Sequence, residues 1–599
     1  MVARRLYRCR HVFVISGYLI TSIILYQKEK GSFNFISFYE KRIKRIAPAY
    51  YAAILLIAVA GCYFYLQSDT TRLRSGLYRA IVFLSNQFFA SGESYFGAAL
   101  SENPLLHTWS LAIEMQFYLI LPFLLIFIRN KYLPYVIGAS LLILTAYSTY
   151  GLYYTDNFSA IYFSLLSRIP EFFVGVLLSI LFLNKNQLSR STSTVISIIG
   201  IIALVGTALL INESTPFPGI LALLPCVATG LLLVSGQNII SRILSSRPMV
   251  YIGELSYSLY LWHWPIMAYL RYNDSSHSAF TITEIFIVST LTFACAWLSY
   301  TYVEKTFRQQ SNRQFALSFA PVALLLCIIT IKLPAINFNG YIAEDFTKTV
   351  FGEASHSKDS VETFGNLSAK NNRIALIGDS HAHVLKSFMD YMGKRHDFSF
   401  KTLTTSGLPA IEGIHEEDFT NANISAFRKS LTFVNTTKGL INNSEIIFIN
   451  SIGFHRVPSL RTALENLAKN LRTNQKLVIF ITVPTYSTNP LRLNKDIRKD
   501  STKTFEQRLF NIENERIIQE VAKKHKNVYV YDLSKSEVFN DSPFYQDTLM
   551  YYDHSHLNLY GSLALARNEE ERFEHFLQQV LVGNSSREND LWTKRIMTK

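Results

Sequence analysis

Residues 103–122, "NPLLHTWSLAIEMQFYLILP", decide what kind of chain this is. From Leu111 to Pro122 only Glu114 and Gln116 interrupt an apolar run. The stretch approaches the roughly 20 residues that an α-helix needs to cross a bilayer. Glu114 follows Ser110 by one helical turn, so the two share a face. An ionisable side chain inside such a span is costly to hold there and marks a functional position. His107 and Trp109 stand just ahead of it, near the outer end of the span.

The same pattern recurs on either side. The 599 residues are 49% hydrophobic and 17% charged, with 43 Phe and 34 Tyr, too apolar for an ordinary soluble protein. Spans are expected near 11–27, 47–66, 105–128, 132–150, 161–183, 194–211, 218–235, 250–270, 281–300 and 315–333. The shorter run at 78–90 is expected to be re-entrant or interfacial, and loop charge is the reason. If it does not span, the loops with Lys41, Arg42, Lys44 and Arg45, with Arg129 and Lys131, with Lys185 and Arg190, with Arg242 and Arg247, and with Lys305, Arg308 and Arg313 all fall on the cytoplasmic side. The loops around Asp156, Glu213 and Asp274 then fall outside. The net charge of +14 is thereby assigned to cytoplasmic loops and not to nucleic-acid binding. The last span carries the rest of the chain to the outer side. The five cysteines are Cys9, Cys62, Cys226, Cys295 and Cys327. They form neither a disulfide framework nor a CxxC metal motif.

Two further membrane strings carry polar residues. "FYEKRIKRIAP" (38–48) puts Arg42 and Arg45 at the inner face. They read either as a positive-inside anchor or as a clamp for an anionic cytoplasmic donor, such as the phosphates of a coenzyme A thioester. "SYSLYLWHWPI" (256–266) sets His263 between two tryptophans, which an interfacial aromatic belt would also explain.

Beyond about residue 340 the pattern changes. Short β-rich runs at 373–378, 446–451, 477–483 and 527–533 alternate with helical patterns such as 458–472 and 504–525. That alternation predicts a parallel α/β sheet. The expected division is a membrane domain over 1–335, a linker over 336–370, an α/β domain over 371–582 and a polar tail over 583–599. "RIALIGDSHAHVL" places Gly378, Asp379 and Ser380 where a strand ends and a helix begins. A hydroxyl there is exposed, and helix N-terminal amides can stabilise an oxyanion. Serine needs a base to act as a nucleophile. "YYDHSHLNLYG" supplies one: Asp553 and His556 are spaced so that the carboxylate orients one imidazole nitrogen and leaves the other for Ser380. His554 is the rival base, one residue from Asp553 and directed elsewhere.

The outer segment resembles the SGNH hydrolase family, whose first block is Gly-Asp-Ser and whose last is Asp-x-x-His. The resemblance implies Ser380 as nucleophile, His556 as base and Asp553 as orienting acid, on a flavodoxin-like three-layer domain. It also implies oxyanion donors from a glycine and an asparagine. Gly407 in "TTSGLPA" matches the first as well as it fits a plain turn. Asn450 matches the second without the usual Gly-x-Asn-Asp around it. The strings "VISGYLIT", "FYEKRIKRIAP", "LLHTWSLAIEMQFYLILP" and "YSLYLWHWP", in that order, closely resemble the acyltransferase 3 family of integral membrane acyltransferases. That resemblance covers roughly residues 12–335. Together the two imply a multi-pass protein of a bacterial inner membrane with an extracytoplasmic C-terminal domain. They imply O-acylation, with acetyl-CoA as cytoplasmic donor and an envelope glycan such as lipopolysaccharide O-antigen or peptidoglycan as acceptor. Arg42 and Arg45 match the family's Arg-x-x-Arg motif, with Glu114, His107 and His263 as further membrane-site candidates. No bound cofactor or metal is implied. A membrane-anchored SGNH carbohydrate esterase and an inactive, disrupted copy stay open as alternatives.

The opening "MVARRLYRCRHVF" departs from the family. The family has a further span there, bearing a histidine thought to be the membrane-side base, and a Gly-Val-Asp-x-Phe-Phe stretch just before Val-Ile-Ser-Gly. One codon choice for the opening, read one base later, yields Gly-Tyr-Ile-Gly-Val-Asp-Met-Phe. The first dozen or so residues are therefore expected to be an out-of-frame translation, with the true first span upstream. Topology leads to the same expectation, because as written Arg4, Arg5, Arg8 and Arg10 would lie outside.

Overall fold

A computed structural model describes residues 10–91, 100–154, 158–182, 189–211, 215, 217–274, 280–338, 343, 346, 351–419, 424–495, 497–507 and 511–582. The basic opening through Cys9, the loop residues Asp156, Lys185 and Glu213, and the polar tail 583–599 lie outside them. The chain divides into two compact units, the first running to about residue 340 and the second from Tyr341 onward.

The first unit is helical. Its main helices are α1 (Arg10–Glu29), α2 (Phe35–Phe64), α3 (Gln67–Ile81), α4 (Ser85–Ala90), α5 (Thr108–Phe127), α6 (Leu133–Tyr154), α7 (Leu165–Phe182), α8 (Arg190–Leu210), α9 (Leu223–Val234), α10 (Arg247–Asp274), α11 (Ile282–Leu298) and α12 (Asn312–Lys332). Every expected span falls on one of them. Among the described residues, seven helices are long and apolar enough to cross a membrane by length and composition. The other three expected spans fall short for visible reasons. With 12 residues, α9 reaches only about 18 Å. Glu254, Ser256, Ser258 and His263 interrupt the apolar run of α10 within 250–270. Arg10 and His11 at one end and Gln27, Lys28 and Glu29 at the other shorten that of α1.

The run at 78–90 is not one helix. It is divided between α3 and α4, with Phe83 at the left-handed φ of 54° in the turn between them. The carbonyls freed by that break are taken up by neighbours. Tyr50 and Tyr51 of α2 donate to Ala80 O (2.9 Å) and Ile81 O (2.7 Å), and Gln116 of α5 donates to Phe83 O (2.8 Å). Satisfying such groups inside the protein is what permits a broken helix in an apolar setting. The tightest helix pair is α1 with α7. A Cβ on Gly17 would lie 2.2 Å from Phe172 O, and one on Gly175 would lie 2.0 Å from Val14 O, so the two backbones meet directly. Phe13 stacks on Phe172 (4.4 Å) beside this contact, which places "VISGYLIT" in the helical core.

The second unit is built on a six-stranded sheet: β1 (Glu362–Gly365), β2 (Asn371–Gly378), β3 (Phe398–Thr404), β4 (Ile446–Asn450), β5 (Lys476–Ile481) and β6 (Val528–Asp532). The order is β1-β3-β2-β4-β5-β6, parallel throughout except that β1 runs antiparallel to β3. The four expected strands correspond to β2, β4, β5 and β6, and the other two strands of this sheet were not foreseen. One of these, β1, lies inside the stretch expected to be linker. The other, β3, reads "FSFKTLT", where Ser399 and Lys401 interrupt the apolar signal. Both faces of the sheet are covered by helices, with Phe388, Phe448, Phe480 and Phe573 on one side and Ile447, Leu460, Leu464 and Ile518 on the other. Burial on both sides explains why "IALIG" and "IIFIN" are continuous apolar runs.

After β2 the chain goes to β3 on one side and then crosses to β4 on the other. The carboxyl end of β2 is therefore the point where strand order reverses, the place where open α/β sheets build their sites.

Candidate active site

Ser380 follows β2 directly and opens a one-turn helix, α13 (Ser380–Val384). His556 arrives from the far end of the unit, just ahead of the helix Leu559–Asn568, and its Nε2 lies 2.8 Å from Ser380 Oγ. Its Nδ1 lies 2.8 Å from Asp553 Oδ2. The Asp-x-x-His spacing works because the same carboxylate also folds the turn: Asp553 Oδ1 accepts from the backbone amides of Ser555 (2.7 Å) and His556 (2.8 Å). Burial alone would push the Asp553 carboxyl up. The adjacent His556 and the amide of Ser555 outweigh it and hold the group below the usual carboxylate range. It is therefore anionic, as an orienting acid must be. The backbone carbonyl of His554, the rival base, accepts from the Tyr486 amide at 2.7 Å.

Asp379 fixes the nucleophile's turn. Its Oδ1 caps the helix by accepting from His381 N (2.8 Å), and its Oδ2 accepts from Ser451 Oγ (2.6 Å) and Ile452 N (3.2 Å). Burial raises its pKa to about 6. Only glycine fits ahead of it. Gly378 has φ +146°, and a Cβ there would lie 2.1 Å from Asn450 O. That contact also places Asn450, one of the two proposed oxyanion residues. Asn450 ends β4 in register with Gly378, buried, with its Oδ1 lacking a hydrogen-bond partner among the described residues. Gly407, at φ +82°, lies in the loop after β3 on the other side of β2. Both therefore sit at the same sheet edge as Ser380.

The sequence reading left the "HAH" of this turn unassigned. His381 stacks on His556, with centroids 4.4 Å apart and 24° between planes. His383 stacks on His356 (4.2 Å) and meets Glu353 at 3.2 Å. Lys386, fully buried, donates to Gly352 O and Ser355 Oγ, both at 2.8 Å. Burial lowers His356 to about 2 and Lys386 to about 7. These contacts bind the segment around 352–362 to the nucleophile's helix and to α14 (Lys386–Arg395). No sequence periodicity links positions 30 residues apart, which is why this cluster was not foreseen.

The membrane candidates fall into two groups. Glu114 accepts from Ser16 Oγ of α1 at 2.5 Å and from Tyr118 OH of its own helix. Arg42 is within electrostatic range of Arg45, Glu114, Tyr118 and Arg308. Glu304 joins this region, accepting from Ser258 Oγ at 3.3 Å and pairing with Arg308 at 4.0 Å. Arg42 and Arg45 are on helix α2, which starts twelve residues earlier than its expected span, capped by Asn34. His107 and His263 form the second group, 6.2 Å apart, with Tyr260 between them: its hydroxyl donates to His107 O (2.5 Å), and its carbonyl faces His263 Nδ1 (2.7 Å). Sequence reading missed a buried ion pair, Arg168 with Glu171 at 2.8 Å, enclosed by Trp109, Tyr162 and Phe217. No group of His, Cys, Asp and Glu that could hold a metal ion occurs among the described residues.

A serine, an imidazole and a carboxylate thus stand in hydrogen-bonded series at the switch point of an α/β sheet, in one chain with a helical membrane domain. Residues 13–301 match the acyltransferase domain family, and residues 348–568 match the SGNH domain that is fused to such domains. An uncharacterised protein of Haemophilus influenzae is 37% identical over 241 residues, which is 97% of that protein and 38% of this chain. The O-acetyltransferase OatA of Staphylococcus aureus is 28% identical over 347 residues, 54% of this chain and 56% of that protein. The chain thus spans little more than half the length of OatA. No solved structure matches significantly. The chain belongs to the acyltransferase 3 family of membrane acyltransferases, in the form that carries a fused SGNH domain.

Proposed function

We propose that this chain is a membrane O-acyltransferase that takes an acetyl group from acetyl-CoA at the cytoplasmic face and delivers it to a hydroxyl of an extracytoplasmic bacterial glycan, such as lipopolysaccharide O-antigen or peptidoglycan. The observation that carries the reading is the Ser380–His556–Asp553 series with both links at 2.8 Å. In the acylation step Ser380 Oγ attacks the acetyl carbonyl carbon and His556 Nε2 takes the hydroxyl proton. The bond from that carbon to the departing group breaks, and the group leaves with the proton from His556. In the second step a sugar hydroxyl attacks the Ser380 ester, with His556 acting as base and returning the proton to Ser380. The Ser380 amide, Gly407 and Asn450 are the proposed oxyanion donors.

Arg42 and Arg45 are the proposed holders of the donor's phosphates, because arginine binds phosphate through paired hydrogen bonds. Glu114, His107 and His263 line the proposed route through the membrane. Support comes from the family assignment, from OatA being named an O-acetyltransferase, and from the distribution of basic loops. An esterase anchored by its helices would need only the triad, so the buried Ser16–Glu114–Tyr118 contacts beside Arg42 favour transfer.

The test is the O-acetyl content of surface polysaccharide in a deletion strain complemented with variants. Ser380→Ala and Arg42→Ala are each expected to abolish acetylation. An O-acetyl content that rises in the deletion strain and with Ser380→Ala would support the esterase, and full acetylation with both variants would refute the proposal.

A further inference from the structure

His381 directly follows the nucleophile and has no part in the hydrogen-bonded series. We propose that it is a positioning residue, whose ring face, stacked on His556, holds the catalytic imidazole in the plane that joins Asp553 to Ser380. The inference rests on the function proposed above. Three observations carry it.

The first is the stacking itself, with centroids 4.4 Å apart and planes 24° from parallel. A ring in that position blocks rotation of His556 on one side. The second concerns Nδ1. His381 Nδ1 is buried without a hydrogen-bond partner among the described residues. Leaving such an atom unpaired is costly. A proton-transfer role for Nδ1 would need a hydrogen-bond partner there, whereas the stacked ring turns its face to His556. The third is how the ring is held. Asp379 accepts from the His381 backbone amide at 2.8 Å, so the residue that fixes the nucleophile's turn also fixes the stacking partner.

The charged and titratable groups around His381 are Asp379, Asp553, His554, His556 and Arg456. Burial, followed by His556, holds the His381 pKa well below the ordinary histidine value. His381 is therefore uncharged at neutral pH. When His556 takes the Ser380 proton, the imidazolium that forms faces a neutral aromatic ring and not a like charge. A cation over a ring within about 6 Å is attracted to it.

The experiment uses the full chain in detergent, with p-nitrophenyl acetate as probe. His381→Ala and His381→Gln are expected to lower kcat about tenfold with KM little changed, as for loss of one ring contact. His381→Phe, which keeps the face and removes the nitrogens, is expected to recover most of that loss. Thermal unfolding checks that each variant folds, and His381→Gln carries the test if His381→Ala does not. Wild-type kcat in both His381→Ala and His381→Gln overturns the proposal. A fall in His381→Phe as deep as in His381→Gln also overturns it, because the nitrogens would then matter. Ser380→Ala separates the two levels. If it leaves hydrolysis intact, the reading of the centre fails. If it abolishes hydrolysis while the His381 variants are silent, only this inference fails.

Discussion

At the scale of single residues, the account depends on Asp553 being an anion that fixes one tautomer of His556. Asp553→Asn keeps the shape and removes the charge, and the amide can present an N–H to His556 Nδ1. We expect kcat for ester hydrolysis to fall by roughly 10³–10⁴-fold with KM nearly unchanged, as when the orienting acid of a serine triad is neutralised. Kinetics with p-nitrophenyl acetate would check this, and a fall of less than about tenfold would mean that the carboxylate is not the orienting group. The triad was legible in the sequence because Asp-x-x-His folds itself: Asp553 accepts from the amides of Ser555 and His556 while it holds the ring. Its other member was legible from a strand ending in Gly-Asp-Ser. His381 was not, since its contact with His556 joins positions 175 apart in the chain and follows no spacing rule. Nor were the partners of Glu114. An isolated glutamate in an apolar run signals a function, but Tyr118, one turn on in the same helix, was not picked out beside it, and Ser16 can be named only once α1 and α5 are docked.

At the scale of elements, two places are predicted to be sensitive. The carboxyl end of β2 tolerates no side chain before Asp379. Gly378→Ala would drive a Cβ into Asn450 O and Ala382, which forces β2 and β4 apart. We expect a loss of stability on the order of 2 kcal/mol, within the usual range for overpacking, together with loss of activity. Denaturant unfolding of the full chain in detergent would measure it. The second place is the cluster that ties the 352–362 segment to α13 and α14. His356 is held down to about 2 by burial, against an ordinary value of 6.5. Between those pH values the unfolded chain binds a proton there and the folded chain does not. Stability contributed by this site is thus present above about pH 6.5 and declines as the pH falls towards 2. His383, also lowered by burial, adds in the same direction. We therefore expect the Tm to drop on acidification from pH 7 to 4, and to drop less steeply in His356→Gln. Parallel acid slopes for the two proteins would contradict this. The sequence did not reveal β1 because a four-residue strand has too short a pattern, and its pairing with β3 is a tertiary choice.

At the scale of the whole molecule, the division into a helical membrane unit and an α/β unit was legible from composition alone. Long apolar runs end by about residue 333, and the later ones are too short to span. What composition could not show is how an apolar run breaks. The stretch at 78–90 became two helices because Tyr50, Tyr51 and Gln116 are placed to take up the freed backbone carbonyls. The residues proposed for the donor side and for the acceptor side lie in separate units, so the central claim is that an acetyl group leaves one and arrives at the other. The most direct measurement uses inverted membrane vesicles containing the full chain and glycan acceptor, with radiolabelled acetyl-CoA supplied to the cytoplasmic face. The account predicts alkali-labile label on the enclosed glycan with the wild-type chain, and none with Ser380→Ala or Arg42→Ala. Label on the glycan at the wild-type level with Ser380→Ala would contradict it.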